Sequence, residues 1–202
     1  MNPLLLVLLA TTYGLFLLWH YRWRSRPLTV AEVDKVLAGY GDAGITPEQS
    51  ARFRAFFAAD DGKPYFMLNL MQVRRQAVYP DGLHPEVKTG RHAHRLYGRM
   101  VLKQLLRRGS YPVFIAKKIA GIVDAGPGTD FFDEVAIVRY RSRRDMLDMI
   151  VDPTYIANLP HKWASLERTV IVSTKKLLLL DLGVLFPILL ILVGLVARTL
   201  AG

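Results

Sequence analysis

Two apolar segments, one near each end of the chain, constrain this sequence more than any other feature. Pro3–Trp19 contains no charged residue, and Leu177–Ala197 contains a single aspartate. The segments are about 17 and about 21 residues long, and helices of that length can cross a bilayer. A cleaved signal peptide carries its basic residues before the apolar run, whereas here the basic stretch Arg22–Arg26 follows it. The sequence therefore predicts transmembrane anchors over residues 1–23 and 175–202.

Charge is confined almost entirely to the region between these segments. The chain has 27 Lys and Arg against 17 Asp and Glu, a formal net charge of +10, and all of the excess lies between Arg22 and Lys176. Because basic residues flank membrane spans on the cytoplasmic side, this pattern predicts a cytoplasmic central domain with both termini on the other side of the membrane. The absence of cysteine excludes a disulfide-stapled fold, a thiol nucleophile and an iron–sulfur cluster.

Helix and strand signals divide the central region in two. Thr29-x-x-Glu32 is a capping box and Thr46-Pro47 is a second helix start, so residues 24–63 are predicted to form a helical N-terminal extension. Residues 64–174 follow the order strand, helix, strand, strand, helix, strand. This order is typical of an α+β, ferredoxin-like β-α-β-β-α-β domain, whose antiparallel sheet has helices on one face. A second sheet from a twin subunit is the simplest cover for the other face.

Four short motifs indicate a family. They are Met67-Leu68-Asn69-Leu70, Asp133-Glu134-Val135 leading to Arg139-Tyr140-Arg141-Ser142, Asp152-Pro153-x-Tyr155, and His161-Lys162. Over residues 64–174 the chain resembles the bacterial domain of unknown function thirteen-thirty of the dimeric α+β barrel superfamily, here with two added membrane spans. The resemblance implies the same fold and a dimer with two sheets face to face. It also implies a bacterial protein, which places the predicted spans in the inner membrane and the termini in the periplasm. It implies no particular reaction, because that family has no settled activity.

Five polar residues could share a catalytic pocket: Asn69, Tyr97, Asp133, Tyr155 and His161. Asn69 interrupts an apolar strand and must find hydrogen-bond partners if it is buried. His161 could titrate near neutral pH and act as a base, with Asp133 orienting its ring. The alternative interpretation is a structural network, in which these groups satisfy one another and fix a neighbouring helix.

No metal or cofactor site is predicted. His92 and His94 point about 200° apart on a helix, so they cannot easily share one ion. The chain has no phosphate-binding glycine loop and no heme-attachment motif. Arg139, Arg141 and Arg143 alternate along one strand end, where they could bind a carboxylate or a phosphate together. A solvated strand edge is the alternative.

One helix carries a basic stripe. Five cationic residues recur every four positions, so they drift only about 40° per step around the helix: Arg91, Arg95, Arg99, Lys103 and Arg107. A solvated helix face is one interpretation. The other is a membrane- or partner-binding surface, since each basic residue near anionic lipid headgroups contributes roughly 1 kcal/mol. Nucleic acid is not an expected partner, because no sequence-reading motif is present.

These patterns support two hypotheses about function. The first is a membrane-anchored accessory or assembly subunit of a larger membrane protein complex, using its α+β domain for self-dimerisation and for protein or lipid-surface contacts. The second is a cofactor-independent monooxygenase or isomerase that acts on an apolar substrate from the bilayer. The sequence leaves open whether the protein is an enzyme.

Overall fold

A computed structural model describes residues 3–21, 26–38, 46–123 and 126–175, together with residues 192, 195, 196 and 199. Its helices are α1 (Pro3–Tyr21), α2 (Val30–Ala38), α3 (Pro47–Ala58), α4 (Gly90–Arg107), α5 (Arg143–Ile150) and α6 (Pro153–Ser165). Its strands are β1 (Tyr65–Val73), β2 (Tyr111–Lys117), β3 (Glu134–Tyr140) and β4 (Leu166–Thr174).

The four strands form one antiparallel sheet in the order β2-β3-β1-β4. β1 lies inside the sheet, with Met67 opposite Val138 of β3 on one side and Ser173 of β4 on the other. The predicted α+β class and the order strand, helix, strand, strand, helix, strand are confirmed. The second helix of that order is divided into α5 and α6 because Asp152-Pro153 interrupts it, and Asp152 caps the helix that follows.

The hydrophobic core lies between the sheet and the helices. Tyr65 and Met67 of β1 are buried there with side chains from β3 and from every helix between α2 and α6. Val33 of α2 and Phe57 of α3 are fully buried in the same core. Thr46 marks the start of α3, as predicted, and forms a capping box there with Gln49. The two helices that precede the sheet therefore pack into its core.

The opposite face of the sheet is also apolar. Strand alternation places Leu68, Ile137 and Val172 on the face that points away from the core. Phe114 of β2 shares this face. Val172 is 43% exposed and Phe114 is 50% exposed. We call this surface the outer sheet face.

The C-terminal end of α1 is bound to the domain by two arginines of the β3 end. The last four carbonyl oxygens of a helix have no N–H donor within the helix, and cations near them are stabilising. Arg139 donates to the His20 carbonyl at 3.1 Å, and Arg141 donates to the Trp19 carbonyl at 3.0 Å. The Trp19 indole donates to the Leu106 carbonyl at 2.8 Å. These bonds fix the last turn of α1 beside the end of α4.

Close backbone approach at this junction requires a glycine. A Cβ at Gly109 would lie 2.2 Å from the Trp19 carbonyl oxygen, and the residue has a φ of 65°. Glycine adopts this left-handed conformation without steric cost. Upstream of the junction α1 extends away from the core, with Leu4, Leu8 and Leu15 exposed.

The predicted membrane topology needs correction. Within the described ranges, no helix is both long enough and apolar enough to cross a bilayer. The two membrane spans predicted from the apolar segments therefore find no support in the described part of the chain. The second segment, Leu177–Ala197, lies almost entirely outside the described residues.

We expect the substitution Arg139→Met to loosen α1. Arg139 is 5% exposed, and it donates to the Gly109 carbonyl at 3.2 Å as well as to His20. Leaving buried carbonyls without donors should lower the free energy of unfolding by about 2 kcal/mol. The tryptophan fluorescence should also shift to the red as Trp19 becomes exposed.

The matched control for this experiment is Arg95→Met, on the exposed side of α4. It should change the unfolding free energy in a denaturant titration by less than about 0.5 kcal/mol. Equal stability of the two variants, with unchanged fluorescence, would contradict the proposed role of Arg139.

Candidate functional site

The five residues predicted to share a catalytic pocket lie in separate hydrogen-bonding environments. Tyr97 of α4 and Tyr155 of α6 meet, with their hydroxyl oxygens 3.1 Å apart. Asn69 donates to the backbone carbonyls of Met67 and Ala136, at 3.1 and 3.3 Å. It is therefore satisfied by the sheet itself. The structure brings the two tyrosines together and ties Asn69 to the backbone.

Asp133 and His161 are engaged elsewhere. The Asp133 carboxylate accepts from the Val73 amide at 2.9 Å, where β1 ends. The Nδ1 of His161 lies 2.6 Å from the Tyr79 hydroxyl oxygen, and its ring centroid is 4.5 Å from that of His84. Asp133 therefore lies with the strand ends, and the partner of the His161 ring is a tyrosine of the loop between β1 and α4.

Electrostatics favour the neutral form of His161. Partial burial, and then the nearby His84, hold the pKa of His161 below its usual value, against an opposing effect of Glu86. Burial also raises the pKa of Tyr79. A neutral imidazole can accept a proton, and the Tyr79 hydroxyl is the neighbouring group that orients it.

The basic stripe lies on the exposed side of α4. All five of its residues are exposed. Arg91 lies 3.2 Å from the Glu134 carboxylate. Among the ion pairs of the described part of the chain, none involves the other four stripe residues. From Arg95 to Arg107 the stripe is therefore an uncompensated positive surface about 18 Å long.

Sequence reasoning missed a charged cluster at the end of the sheet. Glu134, the first residue of β3, is largely buried and places its Oε2 3.3 Å from the Nε2 of His94. Burial lowers the pKa of His94 despite the neighbouring carboxylate. The Nδ1 of His94 is buried and has no hydrogen-bond partner in the part of the chain that the structure describes. The two residues are forty positions apart, so no local spacing could have revealed the contact.

Glu134 also lines an open cleft of about 1140 Å³. The cleft lies where β1 and β2 end and β3 begins, beside the first turn of α4. The side chains of Arg91 and Lys117 line it together with Glu134. By contrast, Arg139 and Arg141, which the sequence suggested as anion ligands, bind the carbonyls of α1 instead.

Comparisons with known proteins show to which family this chain belongs. No family model matches the chain, and no curated protein matches it. A crystal structure of the RPA0582 protein of unknown function from Rhodopseudomonas palustris is 31% identical, with a TM-score of 0.57. The match covers 67% of this chain and 96% of that chain. The chain belongs to the family of that Rhodopseudomonas protein.

Two further structures are similar. A methylated form of RPA0582 is 33% identical over 66% of this chain and 93% of that chain, also with a TM-score of 0.57. The At3g17210 protein of Arabidopsis thaliana is 13% identical over 58% of this chain and 99% of that chain, with a TM-score of 0.35, too low to support an argument.

The family resemblance inferred from the sequence was wrong. No model of a domain of unknown function matches, and no spanning helix is found among the described residues. The quoted motifs meet general needs of the α+β fold. Met67-Leu68-Asn69-Leu70 is a strand inside the sheet, and Ser142 caps α5 through the Asp145 amide. In this chain these motifs serve the strand and the helix cap, so they support the fold and not a family.

We expect the stability of the protein to depend on Lys162 in a pH-dependent way. Burial lowers the pKa of Lys162 to about 8, while its ammonium lies 4.6 Å from the Trp163 ring centroid. The unfolded chain then binds more protons than the folded chain between about pH 8 and the ordinary lysine value, so this group makes stability rise with pH in that window. Lys162→Met should stabilise the protein by about 2 kcal/mol at pH 7, a gain that shrinks towards pH 10.

Thermal unfolding at pH 7 and pH 10 measures this effect. Lys103→Met, on the exposed side of α4, is the control and should show little difference between the two pH values. A stability difference between wild type and Lys162→Met that stays constant from pH 7 to pH 10 would contradict the argument.

Proposed function

We propose that the protein is an accessory or assembly subunit that docks on an anionic lipid surface through the basic stripe of α4. The observation that carries the proposal is the exposure of Arg95, Arg99, Lys103 and Arg107 along one helix without acidic partners in the described part of the chain. Such a surface is repelled by other cations and attracted to negative headgroups.

Continuity between the stripe and α1 favours lipid over a soluble acidic protein. The indole of Trp19 is hydrogen-bonded to Leu106, beside Arg107 at the end of the stripe. The exposed leucines of α1 therefore extend from the same corner of the domain. Charge alone contributes roughly 1 kcal/mol per residue near an anionic membrane, so four cations give modest attachment. Apolar side chains that enter the interface add to it.

We also propose that the domain is of the ferredoxin-like, dimeric α+β barrel type and pairs with a second copy through the outer sheet face. The strand order and the exposure of Phe114 and Val172 support this. The match to the Rhodopseudomonas relative covers 96% of that chain and 67% of this one. A two-fold dimer would present two basic stripes, and simultaneous engagement strengthens weak contacts by avidity.

The enzyme hypothesis is not favoured by the positions of the residues on which it was based. His161 and Asp133 have different partners, and Asn69 is bonded to the sheet backbone. A monooxygenase or isomerase reaction through these groups would need them to converge on one substrate.

Vesicle co-sedimentation tests the lipid-docking proposal. The full chain should bind vesicles of phosphatidylcholine and phosphatidylglycerol at a 7:3 ratio, and the binding should weaken as salt is raised. The triple variant Arg95→Gln, Arg99→Gln, Lys103→Gln should bind these vesicles at least tenfold more weakly. All three positions are exposed, so folding should be preserved.

A charge-matched control distinguishes an effect of the stripe itself from an effect of the net charge of the protein. Lys35→Gln, Arg52→Gln and Lys63→Gln also remove three exposed cations, but from α2, α3 and the turn that follows α3. The affinity of this variant for the same vesicles should fall less than twofold. Equal losses in the two triple variants, or equal binding of the wild type to pure phosphatidylcholine vesicles, would contradict docking through the stripe.

A further inference from the structure

The cleft at the end of the sheet has features that the lipid-docking proposal does not use. It lies at the start of α4, whereas α1 joins the domain near the end of that helix. Its volume is about 1140 Å³, enough for a small molecule. Five cationic side chains and three carboxylates line it. The cleft therefore has a positive excess.

The chain brings the cations together by a close contact between α4 and the end of β1. A Cβ at Gly90 would lie 2.2 Å from the Arg74 carbonyl oxygen, so a larger residue cannot occupy this position without a shift. The Gly90 amide donates to the Arg75 carbonyl at 3.3 Å. This contact holds Arg91, the next residue, against Arg74 and Arg75.

Lys117 reaches the same cleft from β2. It is the register partner of Glu134, the residue that also contacts Arg91. The ion pairs of the described part of the chain leave Lys117 and Arg75 without a carboxylate partner. Both side chains are exposed, and Arg91 retains 55% of its side-chain exposure. Three cations from three elements thus face one open space.

The buried carboxylate of the cleft already has basic partners. The Glu134 carboxylate is shared between Arg91 and His94, at 3.2 and 3.3 Å, and only 11% of this side chain is exposed. Asp133 accepts a hydrogen bond from the Val73 amide. Asp133 and Glu167 are the two exposed acids of the lining. An incoming anion would meet the free cations before it met the charge of Glu134.

We propose that this cleft binds the phosphate group of a small phosphorylated molecule through Arg75, Arg91 and Lys117. Guanidinium groups bind phosphate oxygens in a bidentate manner, and lysine adds a point charge. The phosphate belongs either to a soluble phosphate ester or to a lipid headgroup, since both present the same group. The site is independent of the lipid-docking proposal, because that proposal rests on the later part of the stripe.

Isothermal titration of the full chain with glycerol 3-phosphate tests the site. Binding should be saturable and should weaken as chloride is raised. The double variant Arg75→Gln, Lys117→Gln should weaken binding at least tenfold. Arg91 is left in place in this variant, so that the carboxylate of Glu134 keeps its cation. The control Arg99→Gln, Lys103→Gln removes the same charge from the middle of α4 and should weaken binding less than twofold.

Vesicles that contain phosphatidic acid distinguish the two sources of phosphate. Loss of glycerol 3-phosphate binding in the double variant assigns a soluble ester. If the wild type binds only the vesicles, and Arg75→Gln, Lys117→Gln loses that binding while retaining phosphatidylglycerol binding, the ligand is a lipid headgroup. Absence of saturable binding to both probes, or equal weakening in both double variants, would overturn the site. The lipid-docking proposal would fail separately, through the stripe variants on phosphatidylglycerol.

Discussion

A buried ion pair at the end of β3 connects the parts of this molecule. Arg141 and Asp145 lie 2.6 Å apart, and their side chains are 13% and 3% exposed. Asp145 also accepts from the Ser142 hydroxyl, and Ser142 in turn caps α5. A second donor group of the same arginine binds the Trp19 carbonyl. Breaking a buried pair leaves an uncompensated charge, so β3, α5 and α1 depend on one another through this contact.

This connection determines which surfaces can act together. Because Arg139 and Arg141 hold the last turn of α1 beside the end of α4, the exposed leucines of α1 and the basic stripe belong to one corner of the domain. The phosphate cleft lies at the other end of α4, at the strand ends. One helix therefore links two proposed anion-binding surfaces that can be altered by separate substitutions.

Local signals in the sequence were sufficient for the α+β class and for the order of the helices and strands of the domain. The capping residues Thr29, Thr46 and Ser142 begin helices where they were expected to, because capping depends on residues three positions apart. Short apolar runs bounded by turn residues predicted the strands, because this pattern is also local in the sequence.

Long-range contacts account for what the sequence could not predict. Arg139 binds a carbonyl 119 positions away, so its role as a helix cap is invisible in the strand pattern. His161 finds its partner Tyr79 across 82 positions, in a segment that the sequence describes simply as a loop. The apolar length of Pro3–Trp19 was evident from the sequence, but the docking of this segment to the domain through Trp19 was not.

The central claim is that α1 and the α+β domain form one body. The chain lacks cysteine, so spin labels at Thr12→Cys and Gly98→Cys would be unambiguous. Both positions are exposed, and a Cβ at Gly98 meets no atom within 4 Å. Double electron–electron resonance should give a single narrow distance distribution, which broadens when Arg139→Met is added. A distribution that is already broad in the otherwise unaltered chain would contradict the account.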